Sequence, residues 1–420
     1  MTTVESPPEE ATEGTSPFAL FVLAGALASG YGTLFTLVSD YRDEYGISET
    51  TIGWIIGIGF IVAFFAQTTL GPLGDRGRAK LMIIAGTTAN IAGLLMLAFG
   101  ETATILMLGR VVSGIGTGAA LPALKRIVVV SSSENLGRNL GILFSAEVFG
   151  FAVGPVISAF LVGPLGIPGP FIVIAVANAV IAAYVLVSVP VIETVEAEPS
   201  RFAFDLLRHR PFAGAIILGS ATFLMIGTFD SLWDVVHSDL DTPEWMANLG
   251  IAIFAIPLVI LGPFAGRLAQ QRGPFRIAAI GLILAGMFLG IYGALTVGAL
   301  IFAFTMAHAI TDGMTFAASG VAVGMTAPEH RQSGAQGLLG GMQALAAGIM
   351  APIAGWLYES QGQRAAYWVG AATVLTMTLA GMIVAGPAAW SVHREDAEDY
   401  VPRRRRALGA TGTSANMQES

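Results

Sequence analysis

The stretch Gly71-Pro72-Leu73-Gly74-Asp75-Arg76-Gly77-Arg78-Ala79-Lys80 lies between two long apolar runs. It is a basic turn, punctuated by glycine and carrying a single acid. A looser copy, Leu261-Gly262-Pro263-Phe264-Ala265-Gly266-Arg267, follows in the second half of the chain. A basic turn between apolar segments, met twice in order, points to a membrane body made of two related parts.

Composition agrees. Of 420 residues, 54% are hydrophobic and only 12% are charged; the mean hydropathy is +0.71. A soluble domain carries about a quarter charged residues, so this chain has too little polar surface to face water all round. Lipid must cover the rest, and a polytopic membrane protein follows. The chain has no cysteine, which excludes disulfides, thiolate metal sites and cysteine nucleophiles together. The net charge is −8, and the first residues contribute Glu5, Glu9, Glu10 and Glu13. This acidic start differs from a cleavable signal peptide, so Phe18 onward reads as a retained first span.

A span takes about 20 mostly apolar residues. Twelve runs qualify, at 18–38, 50–70, 81–99, 102–124, 139–163 and 169–189, then 212–234, 246–266, 275–295, 298–325, 335–358 and 365–387. The expected fold is therefore an all-α membrane protein, with twelve transmembrane helices in two pseudo-symmetric six-helix bundles. The domains read as an N-terminal tail (1–17), a first bundle (18–189), a linker (190–211), a second bundle (212–387) and a C-terminal tail (388–420). A short amphipathic helix is expected around Phe202–Leu207.

Charge sets the orientation. With the Asp75 turn inside, the inner face collects Arg76, Arg78, Lys80, Lys125, Arg126, Arg138, Arg201, Arg208, Arg210, Arg267, Arg272, Arg276 and Arg331, with Arg394 and the Arg403–Arg406 cluster in the tail. The outer face keeps Arg42 and Arg364 beside several acids. This positive-inside bias places both termini in the cytoplasm of a plasma-membrane protein. Arg110 is the basic residue left within a span.

Further landmarks repeat. Gly150-Phe-Ala-Val-Gly154-Pro155 and Gly348-Ile-Met-Ala-Pro352-Ile-Ala-Gly355 each occupy the fifth span of their half. The fourth span carries Gly109-Arg110-Val-Val-Ser-Gly114-Ile-Gly116-Thr-Gly118. On these residues the chain, from Phe18 to about Ala388, resembles the major facilitator superfamily, and within it most closely the twelve-span drug:proton antiporter branch. Its loop motif is matched by Gly71, Asp75, Arg76, Arg78 and Lys80, with Gly77 following Arg76 directly. The fifth-span motif is matched by Gly150, Gly154 and Pro155, with Ser158 and Ala159 where a glycine pair is usual. The resemblance implies that Gly71, Asp75, Arg76 and Arg78 form a latch holding the two halves in an outward-facing state.

Several residues are candidates for chemistry. A guanidinium at membrane depth needs a wet cavity or a partner, so Arg110 is expected to face the centre, with Glu147 of span five as partner by depth. His308 and Asp312 stand four apart on one face of span ten. Glu147 and Asp312 are candidate carriers of protons or substrate, against the plainer reading of satisfied polar pairs. His308 reads better as a hydrogen-bonded core residue. Asp230, Trp233 and Asp234 close span seven as an outer gate or, more plainly, as an interfacial anchor. Gly114 and Gly118 lie within a span with no preceding strand, so they serve helix packing rather than phosphate binding; Gly150, Gly154 and Pro155 are assigned the same role.

The functional expectation is a secondary transporter that moves a small organic solute by alternating access, as proton-coupled export. The alternatives are uptake as a symporter or uniporter, and a non-transporting membrane receptor on the same body. An enzyme would need a clustered metal or nucleophile site, which the five scattered histidines do not provide. No cofactor is implied. The expected partners are a small-molecule substrate, protons or another coupling ion, and membrane lipid, with no nucleic acid; a monomer fits the pattern.

Overall fold

A computed structural model describes residues 17–131, 134–188 and 202–390. The acidic tail, the first part of the linker with Arg201, and the C-terminal tail with Arg394 and Arg403–Arg406 lie outside the described residues, as does the side chain of Asp234.

Among the described residues, twelve long helices make the body. In the first half they are α1 (Phe18–Thr36), α2 (Glu49–Leu73), α3 (Ala79–Phe99), α4 (Ala103–Val130), α5 (Leu136–Leu165) and α6 (Pro168–Ser188). The second half has α7 (Arg210–Asp239), α8 (Glu244–Arg272), α9 (Pro274–Ala294), α10 (Gly298–Thr326), α11 (Gln332–Gln361) and α12 (Gln363–Ala385). Ten segments are long and apolar enough to cross a membrane; one of them, Gly57–Phe99, runs through the Asp75 turn and covers parts of two helices, and Phe18–Leu34 is a shorter apolar stretch. The expected twelve spans in two six-helix halves are present.

The expected amphipathic helix is a 3₁₀ turn, Ala203–Arg208. Ala203 and Leu206 are buried on one side, while Phe204 and Leu207 are exposed.

The chain has 52 glycines, against about 7% in average usage, and helix packing explains many of them. Lipid tails are as apolar as leucine, so membrane helices associate through close packing rather than through the hydrophobic effect. Glycine removes the Cβ and lets backbones meet. Gly25 and Gly150 join α1 to α5, as do Ser29 with Gly154 and Gly32 with Phe151 and Pro155. Gly86 and Gly93 of α3 meet Gly116 and Gly109 of α4, while Gly114 and Gly118 turn towards Val62 and Ala66 of α2.

The two halves meet through the same device. Gly137 and Gly141 of α5 pack against the backbone of Gly266 and Gly262 of α8, and Gly71 of α2, with Gly74, packs against Gly337 and Ser333 of α11. Gly74 is the residue just after α2, and these contacts lie towards the end of the body that carries Asp75. Further along the same stripes, 14 residues before Gly71 and 18 after Gly337 (about four and five turns), Gly57 and Gly355 have nothing within 4 Å of an added Cβ. The halves are thus pressed together at the Asp75 face and free of such contacts near the other.

The repeated turn takes different forms in its two copies. After α2, Arg76 and Gly77 leave helical geometry, with Gly77 at φ +71°, a conformation that suits glycine. In the second copy, α8 stays helical through Gly266 and Arg267 and ends at Gly273, φ +97°. Gly262 and Gly266 are used for packing on α5, so the turn comes later.

A side chain at Gly266 would overlap the Gly137 backbone. Gly266→Val is expected to raise the free energy of the closed seam by about 1–3 kcal/mol and to open the Asp75 face. Ser145 is buried beside Gly262, so Ser145→Cys, in this cysteine-free chain, is a suitable reporter. Faster maleimide labelling in the Gly266→Val background is the expected result.

Candidate functional site

Helix α11 begins without a cap of its own. Its N-cap residue, Arg331, offers no acceptor side chain, and the first N–H groups of a helix need one. Asp75 of the other half supplies it. The Asp75 carboxylate accepts hydrogen bonds from the Ser333 N–H at 2.8 Å and the Gly334 N–H at 2.7 Å. Arg126 of α4 donates to it through Nε at 3.1 Å. Both side chains are buried, at 3% and 2% exposure, so the arrangement is an ion pair, a helix cap and a bridge between halves in one group.

Asp75 lies in the turn between two spans. Burial pushes its carboxyl up to about 6, against the pull of the Gly334 and Ser333 N–H groups and of Arg126 and Arg331. It is mainly ionised at neutral pH. Arg331, free of any capping duty, binds Asp205 of the 3₁₀ turn through Nη2 at 2.8 Å, and also the Phe202 carbonyl at 3.2 Å. The segment between the halves is therefore tied to the same helix start.

The latch differs from the expected set. Gly71 packs on α11. Arg76 and Arg78 are exposed and make no ion pair among the described residues; a left-handed Gly77 turns this part of the chain outward. Their place as counter-charge is taken by Arg126, which stands near the end of α4 rather than in a loop. A second, neutral latch had no sequence signal: Gln270 of α8 accepts from the Gly137 N–H of α5 at 2.7 Å and donates to the Glu134 carbonyl at 3.3 Å.

The mid-span charges follow a different pairing from the expected one. Glu147 does not meet Arg110. It faces Lys125 Nζ at 3.3 Å, and both are partly exposed. Lys125 is some five residues from the end of α4, and its long stem reaches the depth of Glu147. Arg110 instead lies over the Tyr31 ring, 4.2 Å from its centroid. It fits into space left by Gly59 of α2. It is 7% exposed, and its Nε has no hydrogen-bond partner.

In the second half, Asp312 stands midway along α10, fully buried. His308 Nε2 lies 3.2 Å from Asp312 Oδ1, and His308 Nδ1 lies 3.1 Å from the Tyr292 hydroxyl. Neither Asp312 oxygen has a hydrogen bond of good geometry. Phe229, Phe254 and Phe288 surround the imidazole. Asp230 of α7 is exposed, yet within electrostatic reach of Tyr31 in one half and Asp312 in its own. It therefore lines the space between the halves. Phe144 of α5 stacks on Phe316 of α10 at 5.0 Å, with Phe223 edge-on to Phe316 at 5.6 Å. This aromatic contact floors that space just above the Ser145–Gly262 seam.

Trp233 is no gate. It is 2% exposed and packed against Gly250 and Phe229. Helix α7 continues past it to Asp239. Of the described residues, Tyr31, Gly59, Lys125, Arg126, Tyr292 and Gln270 were missed as site residues, because each acts only through a neighbour distant in sequence.

Comparison with known proteins gives one consistent picture. The family described as Major Facilitator Superfamily matches residues 20–249 and 232–413. An uncharacterized MFS-type transporter of Methanocaldococcus jannaschii is 24% identical over 339 residues, covering 76% of this chain and 85% of that protein. The lincomycin resistance protein LmrB of Listeria innocua is 23% identical, over 72% of this chain and 78% of its own. In fold, the human organic anion transporter MFSD10 superposes with a TM-score of 0.74 at 15% identity, over 90% of this chain and all of that one.

Two outcomes test the latch. Asp75→Ala leaves Arg126 buried without a counter-charge, a loss of about 3–5 kcal/mol for such a pair. Labelling of Ser333→Cys should rise sharply, and adding Arg126→Met should reverse part of the rise. For pH, an exposed aspartate titrates near 3.9, whereas Asp75 in the closed face titrates at about 6. The closed form holds the proton more tightly, so closure strengthens as pH falls from 7 towards 5 and weakens as it rises. Ser333→Cys protection that is flat across this range, or a trend unchanged in Asp75→Asn, would contradict it.

Proposed function

Because the chain belongs to the Major Facilitator Superfamily, we propose that this multi-pass membrane transporter exports a small organic solute in exchange for protons across the plasma membrane. Positive-inside bias supports a cytoplasmic Asp75 face and cytoplasmic termini. On that orientation the seams described above close the inner side, and the space holding Asp230 communicates with the outer one. Rocking of one half against the other would break the Asp75 cap and the α5–α8 seam and expose the site inward.

The observation that carries the coupling is Asp312. It is a carboxylate at the middle of a membrane helix, without a hydrogen-bond donor of good geometry and with a single imidazole beside it. An unsatisfied charge in such surroundings is costly, and taking up a proton relieves that cost. Glu147 is a second carrier on the opposite wall, its charge balanced by Lys125. The aromatic floor of Phe144, Phe223 and Phe316 suits an apolar part of the solute. Likeness to a lincomycin resistance protein supports export over uptake.

The test is internal pH in proteoliposomes holding the purified protein while solutes, labelled lincomycin among them, are added outside. A solute-dependent pH change is expected, reduced at least tenfold by Asp312→Asn. Labelled flux without any pH change would replace exchange with uniport.

A further inference from the structure

Most charges within the body have an oppositely charged or imidazole neighbour in their own half. Lys125 faces Glu147, His308 faces Asp312, and Arg126 faces Asp75. Among the described mid-span charges, two have no ion-pair partner: Arg110 of α4 and Asp230 of α7. They carry opposite signs and belong to opposite halves.

Their depths correspond. Arg110 is the eighth residue of α4, about 10 Å along the helix from the end opposite the Asp75 face, at 1.5 Å per residue. Asp230 lies nine residues before the end of α7, about 14 Å from that same side. Tyr31, half-buried, feels both charges. The guanidinium lies on its ring and beside Gly59, with its buried Nε lacking a hydrogen-bond partner. A guanidinium fork matches a carboxylate or phosphate in two parallel bonds. Asp230 presents the complementary acceptor to a cation, on a wall already exposed to the cavity. A solely cationic ligand would leave the guanidinium uncompensated in a low-dielectric site, and a solely anionic one would face Asp230 at close range.

We propose that the solute is amphoteric, with its anionic group held by Arg110 in one half and its cationic group held by Asp230 in the other. This rests on the transport reading above and adds a substrate class to it. A zwitterion spans the two halves, so its binding ties the movement of one bundle to that of the other.

Three related dyes separate the charges. Rhodamine B carries a carboxylate and a delocalised cation, its ethyl ester only the cation, and fluorescein only negative charge at pH 8. Fluorescence anisotropy with the protein in nanodiscs, corrected against empty discs, measures binding without transport. Rhodamine B is expected to bind about tenfold or more tightly than its ester. Arg110→Gln should bring the zwitterion down to the ester's affinity and leave the ester unchanged, with Arg110→Lys keeping part of the preference. Asp230→Asn should weaken both rhodamines and leave fluorescein no worse. Equal binding of rhodamine B and its ester to the unaltered protein overturns the proposal. So does a preference that survives Arg110→Gln, or the absence of binding by all three dyes. Solute-driven proton movement with a failed dye pattern would remove the substrate class alone; the dye pattern without any flux would remove the transport reading alone.

Discussion

The rest of the structure depends on one buried carboxylate. Helix α11 starts with an arginine that does not cap it, so its first N–H groups need an acceptor from elsewhere. Asp75 supplies it from the other half and is itself held by Arg126. The positive end of the helix and the guanidinium share one counter-charge. Since this charge is buried, separating the halves must give up its two hydrogen bonds to α11 at once or bring in water to replace them. The glycine seams along α2–α11 and α5–α8 allow the backbones close enough for this reach.

The two halves repeat this scheme with different chemistry. Gln270 caps the start of α5 as Asp75 caps that of α11, but without charge. Its position follows from the longer α8, which stays helical where α2 breaks. One face is thus closed by a titratable contact and a neutral one. Only the first responds to pH, and only the first is joined through Arg331 and Asp205 to the segment between the halves.

Within the body, the charges fall into two groups by the company they keep. Lys125 with Glu147, and His308 with Asp312, are neighbours within a half. They stay together as the halves move, and can change protonation without losing their partner. Arg110 and Asp230 belong to different halves, and their separation changes with every turn of the cycle. In a low-dielectric interior, charges with no fixed partner are costly, and a ligand of matching charge offsets that cost.

Much of the fold was legible in the chain itself. Apolar runs of about 20 residues, with 12% charge overall, leave a membrane bundle as the only way to satisfy the backbone. The paired Leu-Gly-Pro turns revealed the two-fold plan. These are local properties, set by hydropathy and by glycine's missing Cβ. The partners of the charges were not local. Depth along a helix suggested Arg110 with Glu147, but depth leaves the direction of a side chain open, and the rotation of α4 turns Arg110 to Tyr31 and Lys125 to Glu147. The same rotation brings Arg126 to Asp75, where the motif had pointed to Arg76 and Arg78. Which helices cross the membrane was determined by the sequence alone. Which charge meets which was decided only by the packing of twelve helices, because pairing depends on angles about each helix axis that neighbouring helices impose.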